Sequence, residues 1–257
     1  MKFINVNFEL NNRMASNTKV VIKLSGELFS SKLKGAFQDN RVIKIKEISE
    51  LLDSLNRIGH KIIVVAGGST IAREYIGIGR KFKADEATLD QIGIQASRLN
   101  AKILTISCKE SDPRISNDLD EIVSMANSGR IVITGGLFPG QSTNAVAALI
   151  AEKFKADILI NTTSVEKIYS TDPKKYINTK KKVAKNRKLI KYDKIHVDKL
   201  EEILKQNNAK AGTYELFDLN ALQIIRRSQI NCRIIKCTPK NISKAIKNDN
   251  IGTLIEY

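Results

Sequence analysis

Short runs of Val, Ile and Leu alternate with stretches whose apolar residues recur every three or four positions, almost from end to end of the chain. The run at 20–24 predicts a strand. Over 41–58, Ile45, Ile48, Leu51, Leu52 and Leu55 fall at helical spacing, and 61–66 is a second strand behind the breaker Gly59. Residues 71–80 and 86–99 read as helices, 103–107 as a third strand, 119–127 as a helix and 130–134 as a fourth strand. A helix over 143–154 and a fifth strand over 158–162 follow. The pattern then loosens from 163 to 194. Helices at 197–206 and 217–227, a strand at 232–237, a short helix at 242–247 and a terminal strand at 253–256 complete the reading. Continuously apolar strands separated by helices predict an α/β fold with a mostly parallel sheet covered on both faces.

Three strand–helix junctions carry glycine. The fullest runs from Gly129 through Gly135, Gly136 and Gly140 into a helix whose first turn holds Ser142, Thr143 and Asn144. The others follow the strands at 20–24 and 61–66. A helix N-terminus offers unpaired N–H groups, and glycine lets the backbone come close, so such junctions suit phosphate or another oxyanion. Ligands of open α/β sheets gather beyond the carboxyl ends of strands, where all three loops are expected.

At 257 residues the chain can bury a substantial core, and its 42% hydrophobic content argues against wholesale disorder. No apolar stretch reaches membrane-spanning length, and the N-terminus does not read as a secretory signal. Cys108, Cys232 and Cys237 lack zinc spacing and read as buried free thiols of a reducing cytoplasm. His60 and His196 stand alone and receive no catalytic role. The net charge of +16 invites a nucleic-acid reading. Its main concentration, 180–191, has no interleaved aromatic platform, and a solvated lysine-rich loop is the plainer account.

Val21-Ile22-Lys23-Leu24-Ser25-Gly26-Glu27 resembles the opening motif of the amino-acid-kinase superfamily. Gly67-Gly68-Ser69-Thr70-Ile71-Ala72-Arg73, together with Leu-Asp-Gln-Ile-Gly-Ile at 89–94 and Ser-Arg-Leu-Asn-Ala at 97–101, is similar more narrowly to the archaeal type of uridylate (UMP) kinase. Pro-Gly-Gln-Ser-Thr-Asn-Ala-Val-Ala-Ala at 139–148 resembles that group's Pro-Gly-His-Thr-Thr-Asp-Ala-Val-Ala-Ala. Tyr-Ser-Thr-Asp-Pro-Lys-Lys at 169–175, Ala211-Gly212, Asp218 and Gly252-Thr253 also fall where the group has them. The likeness covers residues 18–257, and the motifs keep their order.

The resemblance implies a three-layer αβα sandwich with a UMP-binding, oligomer-forming half (18–155), an ATP-binding half (156–257) and an extension at 1–17. It implies transfer of the γ-phosphoryl group of ATP to UMP, a chemistry of positioning and electrostatic stabilisation without a covalent nucleophile. Lys23 would neutralise phosphoryl oxygens, and Ser25, Gly26 and Glu27 would give backbone N–H groups to ATP. Gly67 and Gly68 would cradle the UMP phosphate, with Ser69 and Arg73 reaching phosphate oxygens, Arg73 by a guanidinium fork. Asp90 would accept from the UMP ribose, or is an ordinary exposed helix acid. Leu137, Phe138, Pro139, Gly140, Gln141, Ser142 and Thr143 would close over UMP. Thr163, Tyr169 and Asp172 match positions that hold adenosine, with a plain core role for Tyr169 equally open. Mg²⁺ would bridge the ATP phosphates without a protein ligand cluster, and a homohexamer is the implied assembly.

Three departures stand out. Asn144 replaces the carboxylate that orients the catalytic lysine, so shape is kept and charge lost. Lys167 replaces a glycine, which predicts strain if φ is positive there, and it could lend charge to the donor phosphates. Ser69 replaces a third glycine. A binding protein without catalysis, another small-molecule kinase of the superfamily, and a basic nucleic-acid binder are the competing readings.

Overall fold

The computed structural model describes residues 17–30, 40–170, 189–207 and 217–257. Strand β1 (Lys19–Leu24) leads through a short 3-10 helix (Gly26–Phe29) to the segment before α1 (Asn40–Arg57). Then come β2 (Lys61–Ala66), α2 (Ser69–Lys81), α3 (Glu86–Ser107), α4 (Leu119–Asn127), β3 (Val132–Thr134) and α5 (Thr143–Phe154). Strands β4 (Ile158–Thr163), β5 (Ile168–Tyr169), β6 (Lys191–Tyr192) and β7 (Lys194–His196) precede α6 (Val197–Asn207) and α7 (Leu219–Ser228). Strand β8 (Cys232–Lys236), α8 (Pro239–Ile246) and β9 (Thr253–Glu256) close the described chain.

The main sheet has seven strands in the order β3-β2-β1-β4-β8-β9-β7, with β5 and β6 as a separate ladder. Every pair of the main sheet is parallel except β8–β9. Strand side chains alternate between two cores, as the pleat requires. Val21, Val65, Val132 and Leu159 face one core, filled by residues of α4, α5, α6 and α7. Val20, Ile22, Val64, Ile133 and Ile160 face the other, filled by α1, α3 and α8. The result is the αβα sandwich with a mostly parallel sheet that the sequence predicts. Each fully buried aliphatic side chain contributes roughly 1.5–3 kcal/mol.

One predicted element is wrong. Residues 103–107 form no strand; they are the last turns of α3, one continuous 22-residue helix. Its inner face carries Leu89, Ser97, Asn100, Ala101 and Leu104, whose small and polar members interrupt the apolar stripe. Its outer face exposes Leu99, Ile103 and Ile106. Superposed, the two faces mimic an apolar run. Short strands β5, β6 and β7 lie in the stretch that read as patternless.

Residues 1–16 of the predicted extension, the Ala211-Gly212 motif, Asp172 and most of the lysine-rich run lie outside the described residues, as do all of residues 31–39, 171–188 and 208–216.

Candidate active site

Strand β1 pairs with β2 on one side and β4 on the other, so the order 3-2-1-4 reverses direction at β1. Beyond that reversal an α/β sheet opens a crevice at its carboxyl edge. The loops after β3, β2 and β1 emerge there side by side because those strands are neighbours and parallel.

Lys23 occupies the floor of this edge. It stands opposite Val65 on β2 and Asn161 on β4. Sharing the parity of Val21 and Leu159, Lys23 and Asn161 project toward the α5 side of the sheet. Asn161 is 1% exposed. Asn144, on the first turn of α5, has a buried side-chain oxygen with no hydrogen-bond partner among the described residues. Lys23 therefore ends a column of apolar side chains at the point where the helix presents polar ones.

The two glycine loops after β1 and β2 merge into one structure. A Cβ built on Gly26 would sit 2.4 Å from the Ser69 nitrogen, and one on Gly67 would sit 2.7 Å from the Gly26 nitrogen. No residue but glycine fits at either place. Gly67 N–H is spent on the Leu24 carbonyl at 3.0 Å. Of the amides expected to meet ATP, Ser25 donates to Thr162 Oγ1 at 2.9 Å and Glu27 to Ser25 Oγ at 3.3 Å. Ser25 N–H is thus tied to β4 and Glu27 N–H to the hydroxyl of its own turn. The amides of Gly26, Gly68 and Ser69 donate to no described group. They form one concave N–H cluster at the start of α2, suited to an anion. Ser69 adopts φ +67°, the left-handed conformation that the missing glycine would take without strain.

Arg73 lies one turn into α2, is exposed, and makes no ion pair with any described residue. Asp90 on α3 accepts the Gly140 N–H at 2.7 Å, holding the 137–143 loop by its turn, where Gly140 has φ +78°. Ser142 caps α5, accepting from the amides of Asn144 and Ala145 at 3.1 Å each, and donates its proton to Asp218. Its hydroxyl is thus fully engaged, and what Ser142 can offer a ligand is backbone. Gln141 also has a buried, unpaired side-chain oxygen. Leu137 is buried and Phe138 is 51% exposed.

Thr163 ends β4, with its hydroxyl shared between the Val165 and Ile235 carbonyls at 2.9 and 3.4 Å. Tyr169 is half-buried on β5, with the Lys191 ammonium 5.8 Å from its ring centre, so it is not core. Lys167 has no positive φ, and the strain foreseen there is absent. Its ammonium pairs with Asp193, which neutralises the charge expected to reach donor phosphates.

Several positioning groups escaped the sequence reading although their motif was visible. Asn100, buried on α3, donates to the Gly67 carbonyl at 2.7 Å. Ser97 Oγ accepts from Gly136 N–H at 2.7 Å, and Arg98 donates to the carbonyls of Gly136 and Leu137 at 3.0 and 3.4 Å. Helix α3 thereby sets both the β2 loop and the β3 loop. Cys237 lies on the other side of β4. Burial raises its thiol above the ordinary range, with Thr162, Lys23 and the Ser25 backbone pulling the other way. The thiol stays protonated and inert as a nucleophile.

Residues 18–236 match the family model described as the amino acid kinase family. The chain belongs to that family. Within the family it is 38% identical over 237 residues to the uridylate kinase of Archaeoglobus fulgidus, covering 92% of this chain and 99% of the relative. It is 35% identical to the uridylate kinase of Methanocaldococcus jannaschii, covering 93% and 99%. The crystal structure of the Archaeoglobus fulgidus enzyme superposes with a TM-score of 0.78 at 36% identity, covering 93% of this chain and all of that one. UMP kinase from Ureaplasma parvum shares the fold alone, with a TM-score of 0.72 at 19% identity. No helix among the described residues is long and apolar enough to cross a membrane.

Proposed function

We propose that this chain is an ATP-dependent UMP kinase, transferring the γ-phosphoryl group of ATP to the phosphate of UMP to give UDP for pyrimidine nucleotide synthesis. The observation that carries this reading is the merging of the glycine loops after β1 and β2 beside the β3 loop at one strand reversal, with Lys23 at the end of β1 and the amides of Gly26, Gly68 and Ser69 without a described acceptor. Phosphoryl transfer puts charge on the equatorial oxygens while attacking and leaving oxygens stay in line, so it needs fixed donors more than a nucleophile. Gly26, Gly68 and Ser69 supply such donors from backbone. Lys23 and Arg73 add positive charge, Asn144 keeps a side-chain oxygen without a described partner on the side of the sheet toward which Lys23 projects, and the Asp90-held loop carries UMP. Thr163 and Tyr169 face the adenosine of ATP, and Asp172, outside the described residues, completes the matched motif. Residues 18–155 make the UMP half and 156–257 the ATP half.

Magnesium would enter as the ATP complex. Its charge offsets that of the phosphates it bridges. The partners are nucleotides rather than nucleic acid. The free thiols Cys108, Cys232 and Cys237 favour a cytoplasmic setting. A homohexamer is the assembly that goes with this reading, and the exposed apolar residues of α2 and α3 support self-association.

The test is a coupled assay with ATP, Mg²⁺ and UMP, in which UDP is expected. Absence of UDP with measurable binding of both nucleotides would favour a regulatory binder, the second reading that Asn144 motivates. Asn144→Asp separates the two. A modest change in rate fits an active enzyme; a gain above about 100-fold, some 2.7 kcal/mol of barrier, means a degraded site.

A further inference from the structure

Helices α5 and α7 are strapped together at both ends. At the amino end Ser142 donates to Asp218; at the carboxyl end Ser228 donates to Glu152, and Arg227 reaches the same carboxylate at 2.9 and 2.5 Å. The separation along the chain is 76 residues in the Ser142–Asp218 and the Ser228–Glu152 contacts alike. The helices therefore run parallel and level, so a shift at one end is a shift along the whole contact unless a strap gives. Only the amino-end strap lies at the candidate active site.

The direction of that bond is fixed by counting. Ser142 Oγ uses both lone pairs on the amides of Asn144 and Ala145, so its one proton must go to an acceptor. Asp218 supplies it with Oδ2 while Oδ1 accepts the Ala221 N–H at 2.9 Å and caps α7. One carboxylate and one hydroxyl thus cap two helices and join them. An amide at 218 cannot do both, because only one of its two heads accepts. The rest of the loop hangs on α3, through Asp90 to Gly140 and Arg98 to Gly136.

We propose that Ser142 and Asp218 are a positioning pair that sets the amino end of α5, with Thr143 and Asn144, against Lys23 for phosphoryl transfer. The inference rests on the kinase reading. Because α3 holds the loop that carries UMP, loss of the pair strikes turnover and spares UMP binding.

Asp218→Asn is the sharp variant: it keeps size and the α7 cap and breaks the link. The expected result is a kcat about ten-fold lower with the KM for UMP within two-fold of the parent. Ser142→Ala should lower kcat at least as far, Ser142→Thr should restore it, and the double variant should be no worse than Ser142→Ala alone. Glu152→Gln, which weakens the carboxyl-end strap, should lower the melting temperature and leave kcat unchanged. Unchanged kcat in Asp218→Asn, a KM effect instead, or no rescue by Ser142→Thr would overturn the pair. Should the parent make no UDP, the kinase reading fails separately, and hydrogen exchange without ligand decides the pair. The amides of Asn144 and Ala145 should exchange at least ten-fold faster in Asp218→Asn, and equal rates would refute it.

Discussion

At φ +67°, Ser69 holds a left-handed conformation that costs a residue with a Cβ roughly 1–3 kcal/mol. The surrounding backbone leaves it little alternative, since Gly26 is pressed against it and is itself backed by Gly67. Ser69→Gly removes that cost and gives back about 0.4–1 kcal/mol through the looser unfolded chain. A net gain of about 1 kcal/mol is expected in urea unfolding, and a lower midpoint with unchanged slope would show that Ser69 is unstrained. The motif made the position legible, since a serine stood where glycine was expected. The sign of φ was not legible: it depends on how two loops distant in sequence dock, which is also why the strain foreseen at Lys167 is missing. His60 is the second residue whose environment sets a measurable property. It is 1% exposed, and burial lowers its pKa from the usual 6.5. Below that value the unfolded chain takes up a proton that the native one refuses, so its contribution is complete above about pH 6.5 and falls as pH drops toward the depressed native value. Melting temperature should fall between pH 7.5 and 5.5 more steeply in the parent than in His60→Leu. Parallel curves would remove His60 from the account.

At the scale of elements, α3 organises the edge of the sheet. Asp90, Ser97, Arg98 and Asn100 each hold a backbone group of a glycine loop. These bonds explain why polar side chains interrupt the buried face of a helix, and that interruption is what made residues 103–107 read as a strand. The two apolar faces of the helix were both in the text, but periodicity alone cannot assign residues to faces when small polar ones carry the contact. Strands β1, β2 and β4 were legible because they are buried on both sides and each carries a run of three or more apolar residues, at 20–22, 62–66 and 158–160. The hydrogen-bond bookkeeping at Ser25 and Glu27 was not, since Thr162, the acceptor for Ser25, comes from a strand 137 positions later. Asn100→Leu tests the role of α3. It keeps the volume but leaves the Gly67 carbonyl without its donor in a buried setting, a loss of about 1–3 kcal/mol. Unfolding should show that loss together with a higher KM for UMP. A change in stability with no change in KM would confine Asn100 to the core.

At the scale of the molecule, one surface is unlike the rest. Tyr75 and Ile78 on α2, Leu99, Ile103 and Ile106 on α3, and Phe138 on the β3–α5 loop are all exposed, Ile106 at 74%. Tyr75, Leu99 and Phe138 line a groove of about 1170 Å³, together with Ile71, Leu137 and Pro139. A contiguous apolar area of this kind on a chain with a charge of +16 is the natural place for self-association, since elsewhere like charge opposes contact. The face lies on the other side of the loop that Asp90 and Arg98 secure, so a second copy seated there would press on Leu137 and Phe138. Assembly and UMP binding should then be linked. Ile103→Glu places a carboxylate in the middle of the outer face of α3 without disturbing the inner one. Light scattering should report a smaller particle, and the KM for UMP should rise several-fold with the far-ultraviolet circular dichroism unchanged. A particle of unchanged mass would exclude this face as the contact, and a smaller particle with parental KM would sever assembly from the site.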